Sequence, residues 1–268
     1  MYWFLIPAGL AILYIFSLRC RKGHPDLENL RKYSYAHRGL HGNGLPENSL
    51  AAFRLASEKG YGSELDIHLL KDGQLAVIHD ASLQRTAGAD VQIEDLTAED
   101  LEKYRLEGTE EKIPLFSQVL ELYGGKQPLI VELKSERGNH AALCQAATAL
   151  LDRYNGPYCI ESFDPACVAW LRNNRPDLVR GQLSANFFLS KKSKLPIPAK
   201  WAMTAMILNF RSCPDFVAYK FQDRKRLGLY ICRRLWGAQG VTWTIKSQEE
   251  YDTAVQEGWI PIFEGFEP

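Results

Sequence analysis

The stretch ELDIHLLKDGQLAVIHD, residues 64–80, decides the fold. Two apolar, strand-like runs meet there through Lys71-Asp72-Gly73, and Asp-Gly between apolar runs signals a hairpin. Elsewhere strand-type runs alternate with amphipathic helix patterns. Strands are expected at 33–37, 62–68, 75–79, 128–133, 158–163, 179–184, 216–220, 240–245 and 260–263. Helices are expected at 48–59, 97–104, 115–123, 138–154, 165–174, 222–236 and 247–256. Alternation of this kind builds βαβ units and a mainly parallel sheet. About eight units predict an α/β fold of the TIM-type (β/α)8 class. The hairpin near residues 62–79 distorts it, the nine runs being eight barrel strands and one hairpin arm. Residues 185–215 fit the alternation least well.

The chain has 268 residues, 46% of them apolar, enough for one large barrel with a substantial core. Its 32 basic and 32 acidic residues balance, so no global field points to nucleic acid as a partner. Nor is an obligate protein partner evident. Cys20, Cys144, Cys159, Cys167, Cys213 and Cys232 lack CxxC spacing, which argues against a zinc ribbon or a disulfide framework. They read as reduced structural thiols of a cytosolic compartment.

Tyr2 to Leu18, YWFLIPAGLAILYIFSL, carries no charge and is followed at once by Arg19, Arg21 and Lys22. As a helix it would span roughly 25 Å, slightly short of a bilayer core. No basic residue precedes it, unlike a secretory signal. The expected organisation is therefore a transmembrane helix at 1–18, a juxtamembrane linker at 19–32 and a barrel domain at 33–268. The basic flank places the barrel on the cytoplasmic side of a single-pass anchor. A buried N-terminal helix and a cleaved signal are the competing readings. KWAMTAMILNF, residues 200–210, either packs on the barrel or docks on lipid. The basic helix around DRKRLGLYICRR, 223–234, either faces solvent or sits near anionic headgroups.

Barrel active sites lie at the C-terminal ends of the strands. Strand 33–37 ends in His37, followed by Arg38, and strand 62–68 carries Glu64 and Asp66. The run after the hairpin ends in His79-Asp80, and PLIVELK carries Glu132 and Lys134. Residues two apart on a strand share a face, so three carboxylates and one ammonium converge in the mouth. Three carboxylates share a small mouth only if a hard divalent cation cancels their repulsion. His37 and His79 remain as a titratable pair, and Arg38 and Lys134 as anion donors. This set suits phosphodiester hydrolysis. Each residue also has a structural explanation, such as an ordinary salt bridge. The weight lies in the whole set falling at strand ends in one direction.

AHRG…PENS, ELDIHLLKDGQLAVIHDASLQRT, IPLFSQVLEL, VELK and VTWTI, in this order from about residue 33 onward, resemble the glycerophosphodiester phosphodiesterase family. The resemblance implies a TIM-type barrel that hydrolyses glycerophosphodiesters to sn-glycerol 3-phosphate and an alcohol. It implies His37 and His79 as the acid–base pair and Glu64, Asp66 and Glu132 as ligands of one divalent metal, Mg²⁺, Ca²⁺ or Mn²⁺. Arg38 and Lys134 would hold phosphate and Trp243 would pack on the glycerol. Glu47 and Asn48 belong to the Pro-Glu-Asn turn, where Asn48 suits a helix N-cap and Glu47 reaches back toward the His37–Arg38 loop. Gly39, Gly42 and Gly44 would let the backbone pass close to the anion. The chain departs from the family at Phe263-Glu264, where a Thr-Asp is usual; Glu264 is a longer carboxylate in that place. Two other functions stand beside this one: a lysophospholipase D acting on single-chain lipids at the membrane, and an inactive barrel that binds phosphodiesters.

Overall fold

The computed structural model describes residues 5–190, 193 and 195–268. The strands are β1 (Tyr35–His37), β2 (Gly62–Leu69), β3 (Leu75–Val77), β4 (Leu129–Leu133), β5 (Tyr158–Ser162), β6 (Arg180–Ser184), β7 (Phe216–Lys220), β8 (Gln239–Ile245) and β9 (Trp259–Phe263). The helices are α1 (Leu5–Ser17), α2 (Leu27–Leu30), α3 (Leu50–Glu58), α4 (Gln84–Ala87), α5 (Ala98–Leu101), α6 (Phe116–Tyr123), α7 (His140–Leu151), α8 (Pro165–Asn174), α9 (Ile197–Thr204), α10 (Asn209–Ser212), α11 (Leu227–Tyr230) and α12 (Gln248–Gln256).

Eight strands run parallel in the order β1-β9-β8-β7-β6-β5-β4-β2, and β1 pairs with β2 to close the barrel. β3 lies outside that ring. It pairs antiparallel with β2, Ile67 opposite Val77, through a turn at Lys71–Gly73 in which Gly73 holds φ +85°. The hairpin expected from Asp72-Gly73 is therefore present. Behind it, Leu70, Ala76, Ile78, Leu83, Ile93, Leu101, Leu106 and Ile113 form a small core of their own.

Alternation along the strands separates two layers. Leu65, Ile67, Val131, Leu133 and Ile160 pack outward against Phe53, Phe116, Leu143 and Leu171 of the helices. Ile130, Cys159, Leu183, Phe216, Ala218, Val241, Ile260 and Ile262 fill the lumen with Tyr35. Local chemistry sets the helix starts. Asp164 caps α8 by accepting from the Ala166 N–H at 2.8 Å, with Pro165 next in line. All six cysteines are free and buried.

The N-terminus differs from expectation. Residues 1–4 of the expected 1–18 transmembrane helix lie outside the described residues. Beyond them α1 has 13 residues, about 20 Å at 1.5 Å per residue. Among the described residues no helix is long and apolar enough to cross a membrane. Nor is 19–32 a free linker. Leu18, Cys20, Leu27 and Leu30 are buried, and α2 closes the lumen, with the Tyr35 hydroxyl donating to the Leu30 carbonyl at 2.9 Å. Arg21 crosses to Asp215, donating to its two oxygens at 2.5 and 2.6 Å. A partner 194 residues away leaves no local signal in the sequence. Arg21→Ala leaves the fully buried Asp215 carboxylate with its Arg180 N–H bond alone. It is expected to lower unfolding free energy by about 2–3 kcal/mol, read from the urea midpoint at unchanged slope.

The expected helix 222–236 is broken into a 3₁₀ turn (Phe221–Asp223), α11 and a π-turn (Ile231–Leu235). α2, α4, α9 and α10 were not anticipated. Three of them have four residues, too short for a 3.6-residue period to show. α9 opens on Pro196 and Pro198, which read as loop.

Candidate active site

Parallel register sets His37 beside Glu64, and Asp66 beside Glu132. Because Leu65, Ile67, Val131 and Leu133 face the helices, Glu64, Asp66 and Glu132 point the other way, into the mouth of the lumen. All three are buried, and their carboxylate oxygens lie within 4.8 Å of one another. Burial, with the charges of Asp66 and Glu132, pushes Glu64 well above the usual carboxyl range. Glu132 is also raised by burial, against the pull of Lys134. Burial acts on Asp66 in the same sense, but Lys134, His79 and Arg38 outweigh it and hold Asp66 well below that range. Lys134 Nζ stands 3.0 Å from Asp66 Oδ1 and 2.7 Å from Glu132 Oε1. Arg38 Nε stands 3.3 Å from Asp66 Oδ2.

Two cations face this triad and a fourth buried acid, Glu161, which sits opposite Glu132 on β5 and is itself pushed well up by burial. The cluster is short of positive charge. Glu132 Oε1 and Glu161 Oε2 have no well-directed hydrogen-bond donor. All-oxygen donors, buried and repelling one another, fit a hard divalent cation.

Each expected histidine has a carboxylate on Nδ1. His37 Nδ1 is 2.6 Å from Glu264 Oε2, and its Nε2 is 3.9 Å from Glu64 Oε2. Burial lowers the His37 pKa. Glu264, also bound to Lys246, is held far below the carboxyl range, chiefly by its bond to His37. His79 Nδ1 is 2.6 Å from Asp80 Oδ1, and Arg85 donates to the other Asp80 oxygen. Arg85 also donates to Glu47, which accepts from Arg38 at 3.0 Å. A chain of alternating charge, His79–Asp80–Arg85–Glu47–Arg38, thus ties the loop after β3 to the loop after β1.

Residues 37–211 match the Glycerophosphoryl diester phosphodiesterase family. The chain belongs to this family. It is 40% identical over 227 residues to Bacillus subtilis (strain 168) YhdW, whose own assignment as a glycerophosphodiester phosphodiesterase is provisional; the match covers 81% of this chain and 87% of that one. It is 42% identical over 108 residues to a glycerophosphodiester phosphodiesterase of Caldanaerobacter subterraneus subsp. tengcongensis, 37% of this chain and 44% of that one. It is 32% identical over 164 residues to a lysophospholipase D of Rattus norvegicus, 56% of this chain and 49% of that one. The chain thus spans less than half the length of the last two. The barrel superposes on an Oleispira antarctica phosphodiesterase solved with its product sn-glycerol-3-phosphate. That likeness has a TM-score of 0.71 at 20% identity and covers 87% of this chain and 92% of the other.

Within this glycerophosphoryl diester phosphodiesterase family member one expected role is corrected. Asn48 does not cap α3. Ser49 does, its Oγ accepting from the Ala52 N–H at 3.1 Å. Asn48 sits at φ +54° and donates from Nδ2 to Asp66 Oδ2 at 2.9 Å, orienting a triad member. Gly39 holds φ +79°, as its turn requires, and a Cβ there would also meet the Ala52 carbonyl carbon at 2.9 Å. Gly42 and Gly44 have open space and positive φ, as a turn requires. Trp243 lies edge-on to Phe163, ring centroids 5.7 Å apart, and Lys134 Nζ stands 6.0 Å from the Phe163 centroid. Trp243 Nε1 is buried without an acceptor, leaving it free to donate to a ligand.

Asp80 and Arg85, both in the ELD…QRT stretch, support His79 in a way their spacing alone does not announce. Glu161 and Phe163 stand in ESFD, another strand end of the barrel, where the sequence alone gives them no role. An acid next to a strand-end histidine was the available signal for Asp80. Glu264→Gln keeps the shape beside His37 but removes the charge. It is expected to lower kcat by about 10–100-fold, part of what a positioned acid or base contributes, with KM little changed in steady-state assays.

Proposed function

We propose that this chain hydrolyses glycerophosphodiesters to sn-glycerol 3-phosphate and an alcohol, with Glu64, Asp66 and Glu132 holding one divalent cation. The observation that carries this is the buried acid triad flanked by two histidines, each backed by a carboxylate. A bound divalent cation would neutralise charge on the equatorial phosphate oxygens. Arg38 and Lys134 add positive charge from the strand ends, and Trp243 offers an N–H and an apolar face to the glycerol. One histidine takes the proton of the attacking oxygen as its bond to phosphorus forms. The other delivers a proton to the departing alkoxide as the P–O ester bond breaks. Water supplies the attacking oxygen directly, or the glycerol 2-hydroxyl does and water then opens the resulting cyclic phosphate, either route ending at sn-glycerol 3-phosphate. Purified protein given glycerophosphocholine and glycerophosphoethanolamine with each of Mg²⁺, Ca²⁺ and Mn²⁺ is expected to release sn-glycerol 3-phosphate. Release of glycerol and the phosphorylated headgroup instead would overturn the reading.

One observation favours a second reading, lysophospholipase D. A cavity of about 420 Å³ opens from Glu132 and Lys134 onto Phe163, Phe187, Leu195 and Met203, an apolar wall that suits a hydrocarbon chain. Under this reading lysophosphatidylcholine turns over with a higher kcat/KM than glycerophosphocholine. Equal or lower values would refute it.

A further inference from the structure

The catalytic cluster leaves the molecule's most unusual surface unused. α1 is apolar on all sides, and Ile6, Leu10, Ile12 and Leu13 are each more than half exposed. A helix apolar all round needs an apolar environment. The barrel supplies one only at the C-terminal end of α1. There the Trp236 indole donates to the Ile15 carbonyl at 2.9 Å, Phe16 meets Trp236 with centroids 6.0 Å apart, and Leu18 is buried.

The exposed surface continues onto two neighbouring helices. Ile197 and Trp201 of α9 are 74% and 55% exposed, and Leu227 and Tyr230 of α11 are 69% and 64% exposed. Tyr14, Phe188, Trp201 and Leu227 line one shared groove, so the three helices form a single face. A second groove adjoins it through Arg226 and Leu227 and carries Lys225, Arg233 and Arg234. Lys225, Arg226 and Arg234 make no ion pair among the described residues, while Arg233 stacks on Trp259.

We infer that this face docks on an anionic phospholipid bilayer, with α1 in the apolar layer, Trp201, Leu227 and Tyr230 at the interface, and the basic groove on lipid phosphates. The chemistry is complementary on both counts: hydrocarbon for the exposed apolar side chains, negative headgroups for unpaired cations. α1 enters without spanning. The placement brings the mouth of the barrel to the lipid, because α9 has two functional faces. Ala199 and Met203 line the cavity beside Glu132 and Lys134, while Ile197 and Trp201 face outward.

The test is co-sedimentation of the full chain with phosphatidylcholine vesicles and with vesicles containing phosphatidylglycerol. Binding is expected to be about tenfold or more tighter to the anionic vesicles and to weaken as salt rises. Trp201→Glu/Leu227→Glu and, separately, Lys225→Gln/Arg234→Gln should each weaken it about tenfold with an unchanged melting temperature. The second variant alters only exposed charge, so it still tests the inference if the first melts early. Equal binding to neutral vesicles, wild-type binding by the second variant, or self-association without vesicle binding would overturn the inference. None of these readouts depends on catalysis, so they stand apart from the proposed reaction.

Discussion

EDTA will abolish phosphodiester hydrolysis by this protein, and Mg²⁺ or Ca²⁺ will restore it. Three buried carboxylates within 4.8 Å of one another, two of them pushed up in pKa, demand more positive charge than Arg38 and Lys134 provide. A cation held there would contribute several kcal/mol at the transition state, so its removal is expected to cost about 10³-fold or more in kcat/KM. Glu132→Gln should show the same loss at ordinary metal concentrations and partial recovery at high ones. Thermal unfolding provides a readout free of catalysis: the wild-type melting temperature rises with added cation by ligand linkage, and that of Glu132→Gln rises far less. A rate indifferent to chelation, together with a melting temperature indifferent to metal, would remove the cation from the mechanism.

Alanine at His37 or His79 is expected to cost about 10²–10⁴-fold in kcat, the usual worth of a positioned acid or base. The double variant should lose less than the product of the two, because both act on one proton-transfer sequence. The leaving group then separates their roles. An ester of a nitrophenol departs without a proton, so the variant lacking the general acid recovers on that substrate and the variant lacking the base does not. Burial lowers the His37 pKa while Glu264 opposes this through Nδ1. Wild-type turnover by the double variant would refute the pair.

Much of this site was legible in the chain because barrel geometry turns position along a strand into position in space. His37 ends β1, Glu64 and Asp66 sit two apart within β2 and Glu132 lies on β4, and period-2 alternation with parallel register brings them together. The hairpin was legible for the same local reason: Asp72-Gly73 permits the positive φ that the turn uses. Asn48 was misread because a polar residue just before a helix looks like a cap. Ser49 stands one position closer, which freed Asn48 to reach Asp66. The support of the histidines was harder to see. Glu264 lies 227 residues from His37, and β9 brings it there only when it pairs with β1.

Residue order and spacing specified which side chains line the barrel mouth, how many strands enclose it and where the hairpin interrupts them, because those features depend on neighbours within a few residues. Tertiary packing selected the partners of His37, Arg21 and Trp243: Glu264 through the β1–β9 pairing, Asp215 just before β7 where the N-terminal segment crosses, and Phe163 just after β5. Those pairings join segments far apart along the chain, so no local pattern of residues announces them.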